Sequence, residues 1–169
     1  MKKTLGTIVT IMVVAILIGT FITVKYATAG ESGRDGHFIA YDNGTVLDMR
    51  TNLMWAAWDS GRLISWEAGQ SYCENYRGGG YTDWRMPTPD ELATLYDAGK
   101  SRTAACGSGD VHVATGLISI SCFWVSASGP ATFNFHELNV SNAERAPGQG
   151  YWKPDIGYTG VALPVRSVK

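Results

Sequence analysis

The stretch that decides the fold runs from Gly78 to Leu95 and reads GGGYTDWRMPTPDELATL. Its second half predicts a helix, because Thr88 and Glu91 have the spacing of a capping box. Pro89 then occupies the first helical position, where a missing N–H costs nothing. The buried stripe of this helix is predicted to consist of Leu92, Leu95 and Tyr96, and Gly99 is predicted to end it.

Upstream of this stretch, short apolar segments alternate with turn residues, which is typical of an antiparallel meander. Strands are predicted at His37 to Tyr41, Thr45 to Asp48 and Leu53 to Ala57. Asp42-Asn43-Gly44 supplies the first turn. Asn52 closes the second turn, since asparagine adopts the left-handed conformation more readily than most residues.

A helix is also predicted between the meander and the glycine turn. Ser65 is a favourable N-cap, and Gly78 is expected to end a helix from Trp66 to Arg77. The residues expected on its apolar face are Trp66, Gly69, Tyr72, Cys73 and Tyr76.

The C-terminal half is predicted to consist of loops and strands. One strand is expected at Cys122 to Ala127 and a second at Thr132 to Leu138, with Phe133 and Phe135 on one face of the latter. Val161 to Val165 is predicted to be an edge or bulged strand because of Pro164. Two helices among short strands, with no βαβ rhythm, indicate an α+β fold.

The N-terminus has the order of an export signal. Lys2 and Lys3 precede an apolar run from Thr4 to Val24, and Ala27-Thr28-Ala29 has the form that signal peptidase cleaves. The run is also long enough to span a membrane as a retained anchor, so cleavage and retention both remain open. We therefore divide the chain into a signal peptide or anchor (1–29), a linker (30–36) and a domain (37–169) outside the cytoplasm.

The charge balance excludes one class of partner. Removing residues 1–29 changes the net charge from −1 to −4, because Lys2, Lys3 and Lys25 leave with no acid. A mildly acidic domain without a Lys/Arg run is a poor non-specific nucleic-acid binder. No nucleic-acid partner is therefore expected, and membrane contact is expected only through residues 4–24 if they are retained.

The three cysteines lie in the exported part, where disulfides persist. Three pairings are open; we favour Cys106–Cys122, because Cys73 falls on the apolar face of the first helix and fits a buried hydrophobe. No C-x-x-C or H-x-x-x-H spacing is present, so neither a metal nor a cofactor is expected.

Catalysis is not predicted. The three histidines, His37, His112 and His136, are scattered, and no G-x-S-x-G elbow is present. Asp83, Asp90 and Asp97 could form a calcium cluster. However, Asp90 is expected in the first turn of a helix, and the chain lacks the Glu-Pro-Asn, Gln-Pro-Asp and Trp-Asn-Asp triplets that hold calcium. Trp84 is interpreted as a core residue, and Arg85 with Glu91 as a structural ion pair.

The strongest candidate for a ligand site is the long loop from Asn139 to Tyr158. It is rich in glycine yet carries the adjacent rings Tyr151 and Trp152, which either pin the loop to the core or stack on a ligand. If they stack, the hydrogen-bonding groups of the site are predicted to come from Asn142, Gln149, Lys153 and Asp155.

Several of these segments together resemble the Lcl C-terminal-domain family, a bacterial domain of unknown function. They are GTVLDMRTNLMW at 44–55, GGYTDWRMPTPDEL at 79–92, FWVSAS at 123–128 and LPVRS at 163–167. The resemblance implies an exported domain similar in fold to C-type lectins and formylglycine-generating enzymes, with two helices and a small twisted, mainly antiparallel sheet. An apolar helix would precede it.

The resemblance also implies a function. For the collagen-like adhesin that gives the family its name, it implies glycan or glycosaminoglycan binding. For this chain it implies a binding or interaction module at the cell surface or in the periplasm. This chain lacks a Gly-X-Y collagen repeat and has Val161-Ala162 where an arginine is expected, so trimeric adhesion is not carried over. The alternatives are an enzyme or modifying factor of formylglycine-generating type, and a structural subunit of an envelope assembly that binds another envelope protein.

Overall fold

The computed structural model describes residues 29–106, 109–129, 131–136, 138–142 and 159–168. The predicted signal peptide or anchor lies outside these residues, apart from its last position. Helices and antiparallel strands are mixed along the chain, which confirms the α+β class.

Short strands make up most of the fold. They are β1 (Glu31–Asp35), β2 (Phe38–Tyr41), β3 (Thr45–Asp48), β4 (Leu53–Ala56), β5 (Ile64–Ser65), β6 (Arg102–Thr103), β7 (Asp110–Val111), β8 (Trp124–Ala127), β9 (Ala131–Asn134), β10 (Asn139–Asn142), β11 (Thr159–Gly160) and β12 (Val165–Ser167). The helices of the described residues are α1 (Trp66–Asn75) and α2 (Pro89–Ala93), with a 3₁₀ turn at Gly78–Gly80.

The main sheet has five antiparallel strands in the order β1-β2-β3-β4-β12. Its first part is the predicted meander, and both turns use the predicted residues. Gly44 has a φ of 79° and Asn52 a φ of 55°, left-handed conformations that these residue types tolerate. Because both turns are tight, each strand pairs with its neighbour along the chain.

The segment expected to be a polar linker is instead part of this sheet. β1 pairs with β2, with Arg34 opposite Ile39 and Asp35 opposite Phe38. Its side chains are mostly exposed, which is why its composition resembles that of a linker. An edge strand of this kind is held by backbone hydrogen bonds and shows little apolar alternation.

The first helix begins as predicted and ends earlier. The Ser65 side chain accepts a hydrogen bond from the Ala68 N–H, while Tyr76 has an extended backbone (ψ 143°). The predicted end at Arg77 was therefore two residues too late. Cys73 and Gly69 are the buried residues of this helix, in agreement with the predicted apolar face.

The second helix is capped as predicted, but it ends at Ala93, well before the predicted stop at Gly99, so Leu95 and Tyr96 lie outside it. The Thr88 hydroxyl accepts from the Glu91 N–H at 3.1 Å, and the Glu91 carboxylate accepts from the Thr88 N–H at 2.8 Å. Leu92 and Leu95 are fully buried.

A second sheet, in the order β10-β9-β8, packs on the same core. β9 is buried along its whole length, including the polar side chains of Thr132 and Asn134. The C-terminal strand differs from the prediction. Val161 forms a bridge with Val125, but β12 begins only after Pro164.

The core lies between the two sheets and α2. Its largest fully buried side chains include Trp55, Phe38, Phe133, Phe135, Leu92 and Leu95.

Candidate functional site

Three side chains of the Gly78–Leu95 stretch make contacts that stabilise the fold. Trp84 is 3% exposed, and its Nε1 donates to the Gly78 carbonyl at 3.1 Å. Arg85 forms a two-pronged ion pair with Glu91, with N–O distances of 2.7 and 2.6 Å. The interpretation of these three residues as structural is therefore consistent with their contacts.

The predicted pairing of the cysteines is confirmed. Cys106 and Cys122 form a disulfide, and Cys73 is free and buried. Burial, together with the nearby charge of Glu74, raises the pKa of the Cys73 thiol to about 12. A thiol of this kind is a poor nucleophile at neutral pH.

The predicted loop site falls almost entirely outside the described residues. This holds for Gln149, Tyr151, Trp152, Lys153 and Asp155. Asn142 is the last residue of β10, where its backbone pairs with Ala131. The loop site therefore stays a prediction.

The described residues contain a different candidate, a charged cleft of about 230 Å³. It lies where the β1–β2 turn and the β3–β4 turn face the chain that follows α2. Its wall combines acidic, basic and aromatic side chains with smaller residues: Asp35, Gly36, His37, Phe38, Arg50, Thr94, Tyr96, Asp97, Lys100 and Ala114.

Lys100 connects the residues on one side of the cleft. Its ammonium contacts the Asp35 carboxylate at 3.3 Å and donates to the Ala114 carbonyl at 2.6 Å. Hydrogen bonds from the Thr115 side chain and from Lys100 lower the pKa of Asp35, so this carboxylate is ionised at neutral pH. The Lys100 ammonium is thereby oriented along the wall of the cleft.

The other side is built around a buried acid. Asp48 is fully buried and accepts hydrogen bonds from the Arg50 N–H at 2.9 Å and from the Thr51 hydroxyl at 2.8 Å. Nε2 of His37 lies 3.5 Å from the same carboxylate. These bonds fix the Arg50 backbone, while its side chain is exposed and has no carboxylate within ion-pair distance among the described residues.

A row of aromatic rings extends the cleft along the surface. It starts at Tyr96, whose ring centroid is 5.7 Å from that of His112, and His112 is 6.2 Å from His136. His136 is 6.3 Å from Phe123, which is 6.4 Å from Trp124. We call these five residues the ring row. His136 is exposed and the other four are partly exposed.

No pattern in the sequence indicates the cleft or the ring row. His112 and His136 lie far apart in the chain, and no local spacing pattern joins them. Trp58 also has no signal in the sequence; it is 62% exposed and is the most exposed large hydrophobic side chain that the structure describes. The Trp58 ring lies over the Gly44 turn, outside the cleft lining and the ring row.

Comparison with known proteins gives one match. The model of the Lcl C-terminal domain family matches residues 44–155. No curated protein and no solved structure matches the chain. The similarity to C-type lectins and formylglycine-generating enzymes therefore rests on the sequence resemblance alone. Within the described ranges, none of the helices has the length and apolarity needed to cross a membrane.

Proposed function

The chain belongs to the Lcl C-terminal domain family, and we propose that it acts outside the cytoplasm as a binding module whose ligand is a glycan. The disulfide between Cys106 and Cys122 and the family membership fit a bacterial surface or secreted protein. Disulfides of this kind persist in oxidising compartments.

The observation that carries the proposal is the ring row joined to the charged cleft through Tyr96. Sugar rings bind to flat apolar faces combined with a few directional polar groups. The ring row supplies the first kind of group. The cleft supplies the second, through the Arg50 guanidinium and the Asp97 carboxylate.

The backbone at Phe123 is held by two cross-links, which favours a preorganised binding surface. Cys122, the preceding residue, forms the disulfide with Cys106, and the backbone N–H of Phe135 donates to the Phe123 carbonyl at 2.7 Å. The predicted loop site of Tyr151 and Trp152 remains part of the proposal as a second contact region.

A glycan array probed with the purified full chain, in the presence of EDTA, tests the proposal. We expect the chain to bind a defined set of glycans. Arg50→Ala and His136→Ala are each expected to weaken the binding of the best of these glycans at least about tenfold. This is the loss expected for one well-placed polar or stacking contact. Trp58→Ala is the matched control, because its ring is exposed but lies outside the ring row.

Two results would refute the proposal: an array without binding, or binding that neither substitution weakens. The proposal is one of binding and not of catalysis, so the bound glycan is expected to be recovered chemically unchanged. Recovery of a modified glycan would instead favour an enzyme.

A further inference from the structure

Two histidines of the ring row are brought together by the fold. The backbone N–H of His112 donates to the Phe135 carbonyl at 2.9 Å. This bond places His136, the residue after Phe135, beside His112. The imidazole centroids lie 6.2 Å apart, with an angle of 31° between the ring planes. His112 is partly exposed and His136 is exposed.

Both imidazoles are oriented by the same kind of contact. Nδ1 of His112 lies 2.9 Å from the Lys100 carbonyl oxygen, and Nδ1 of His136 lies 3.0 Å from the Asp110 carbonyl oxygen. A carbonyl oxygen only accepts, so in each ring Nδ1 carries the proton and donates it. In the neutral imidazole this leaves the lone pair on Nε2.

This is the arrangement in which histidines bind metals. A ligating histidine usually donates its second ring N–H to a carboxylate or a backbone carbonyl, which fixes the tautomer and the orientation of the ring. Here two neighbouring histidines are both oriented in this way.

We propose that Nε2 of His112 and Nε2 of His136 bind one divalent transition-metal ion of the zinc and copper class. Imidazole is a preferred ligand of these ions. Two imidazoles bound to one ion at about 2.0–2.1 Å hold their ring centroids roughly 5–6 Å apart. The observed centroid distance of 6.2 Å lies just above this range.

Within the described residues no group of three or more His, Cys, Asp and Glu side chains is placed to share a metal. The described part of the chain therefore supplies two ligands for the ion, His112 and His136. This differs from a closed structural zinc site, in which four protein ligands surround the ion.

The proposal is tested on the purified full chain after removal of metals with EDTA and dialysis, with no glycan present. Calorimetric titration with zinc chloride is expected to show one ion bound per chain. His112→Gln and His136→Gln are each expected to weaken binding at least about tenfold, because even the loss of an outer partner of a metal ligand costs about 10–100-fold. His37→Gln is the matched control, since His37 is the third histidine of the chain and lies outside the pair.

A second measurement does not depend on variants. The electron paramagnetic resonance spectrum of the chain with one equivalent of copper(II) is expected to show two coordinated imidazole nitrogens. Absence of zinc binding, zinc binding that His37→Gln weakens as much as the other two, or a copper spectrum with fewer than two nitrogens would overturn the proposal. Because the glycan test is carried out in EDTA, each proposal fails independently of the other.

Discussion

Arg166 donates two hydrogen bonds to the carboxylate of Asp83, from Nε to Oδ1 at 2.7 Å and from Nη2 to Oδ2 at 3.1 Å. The Arg166 guanidinium also lies over the Tyr81 ring, 4.0 Å from its centroid. Beside this pair, Arg85 and Val165 exchange both backbone hydrogen bonds, at 2.9 and 3.0 Å. These contacts connect the Gly78–Leu95 stretch to β12.

Asp83→Asn is expected to destabilise the domain. Arg166 is only 9% exposed, and the substitution leaves its charge without a carboxylate partner. The cost of leaving a buried donor unpaired is about 1–3 kcal/mol in the free energy of unfolding. A urea titration should show a lower midpoint with an unchanged slope. Glu31→Gln, which breaks the exposed pair with Arg34, should leave the midpoint nearly unchanged.

Glu91→Gln is expected to change the pH dependence of stability. Burial raises the pKa of Glu91, but hydrogen bonds from Arg85 and Thr88 and the charge of Arg85 outweigh it, so the net pKa is lowered from 4.5. The stabilisation is therefore complete above about pH 4.5 and is lost as the pH falls through the lower pKa of the folded state.

We expect Glu91→Gln to cost about 1–2 kcal/mol at pH 7, because it weakens both the cap and the ion pair. Thermal unfolding from pH 7 to pH 3 should show the two proteins converging at the acid end. A difference that stays constant over this range would contradict the assigned role of the carboxylate.

Removal of the disulfide by the double substitution Cys106→Ala and Cys122→Ala is expected to cost about 3 kcal/mol in the chain-entropy model. The bridge closes a loop with a sequence separation of 16.

In the native protein Cys73 should resist iodoacetamide and react only after unfolding, since it is fully buried. Rapid alkylation of Cys73 under native conditions would show that the helix opens.

The N-terminal edge strand can be tested by truncation. A fragment of residues 30–169 is expected to fold cooperatively under oxidising conditions, because it retains β1 and the hydrogen bond from the Gly30 N–H to Asp42. A fragment of residues 37–169 should melt about 3–8 °C lower, which corresponds to roughly 1–2 kcal/mol in a domain of this size. Equal melting temperatures would mean that β1 adds nothing to stability.

Trp152→Ala tests the predicted loop site. If Trp152 stacks on a ligand, glycan binding should be lost while stability falls by less than the roughly 3–5 kcal/mol typical of a core tryptophan. If it pins the loop, the substitution should unfold or strongly destabilise the domain. Hydrogen exchange with and without the bound glycan would then show whether the protected surface is this loop or the ring row.

Features that depend on a few neighbouring residues could be predicted from the sequence. The capping box of Thr88 and Glu91 is confirmed, as are the left-handed Asn52 and the N-cap Ser65. In each case the deciding interaction joins residues at most three positions apart. The apolar position of Cys73 likewise left Cys106 and Cys122 as the favoured pair, which the structure confirms.

Features that depend on distant partners could not be predicted. The exposed polar β1 is a strand only because β2 offers it a free edge. β9 is buried along its whole length, although the polar Thr132 and Asn134 alternate with its apolar residues. The cleft, the ring row and the His112–His136 pair come from segments that meet only after folding. The sequence alone determined the local turns and caps, because the interactions that stabilise them join residues only a few positions apart. Tertiary packing decided the candidate site, because its contacts join residues far apart in the chain.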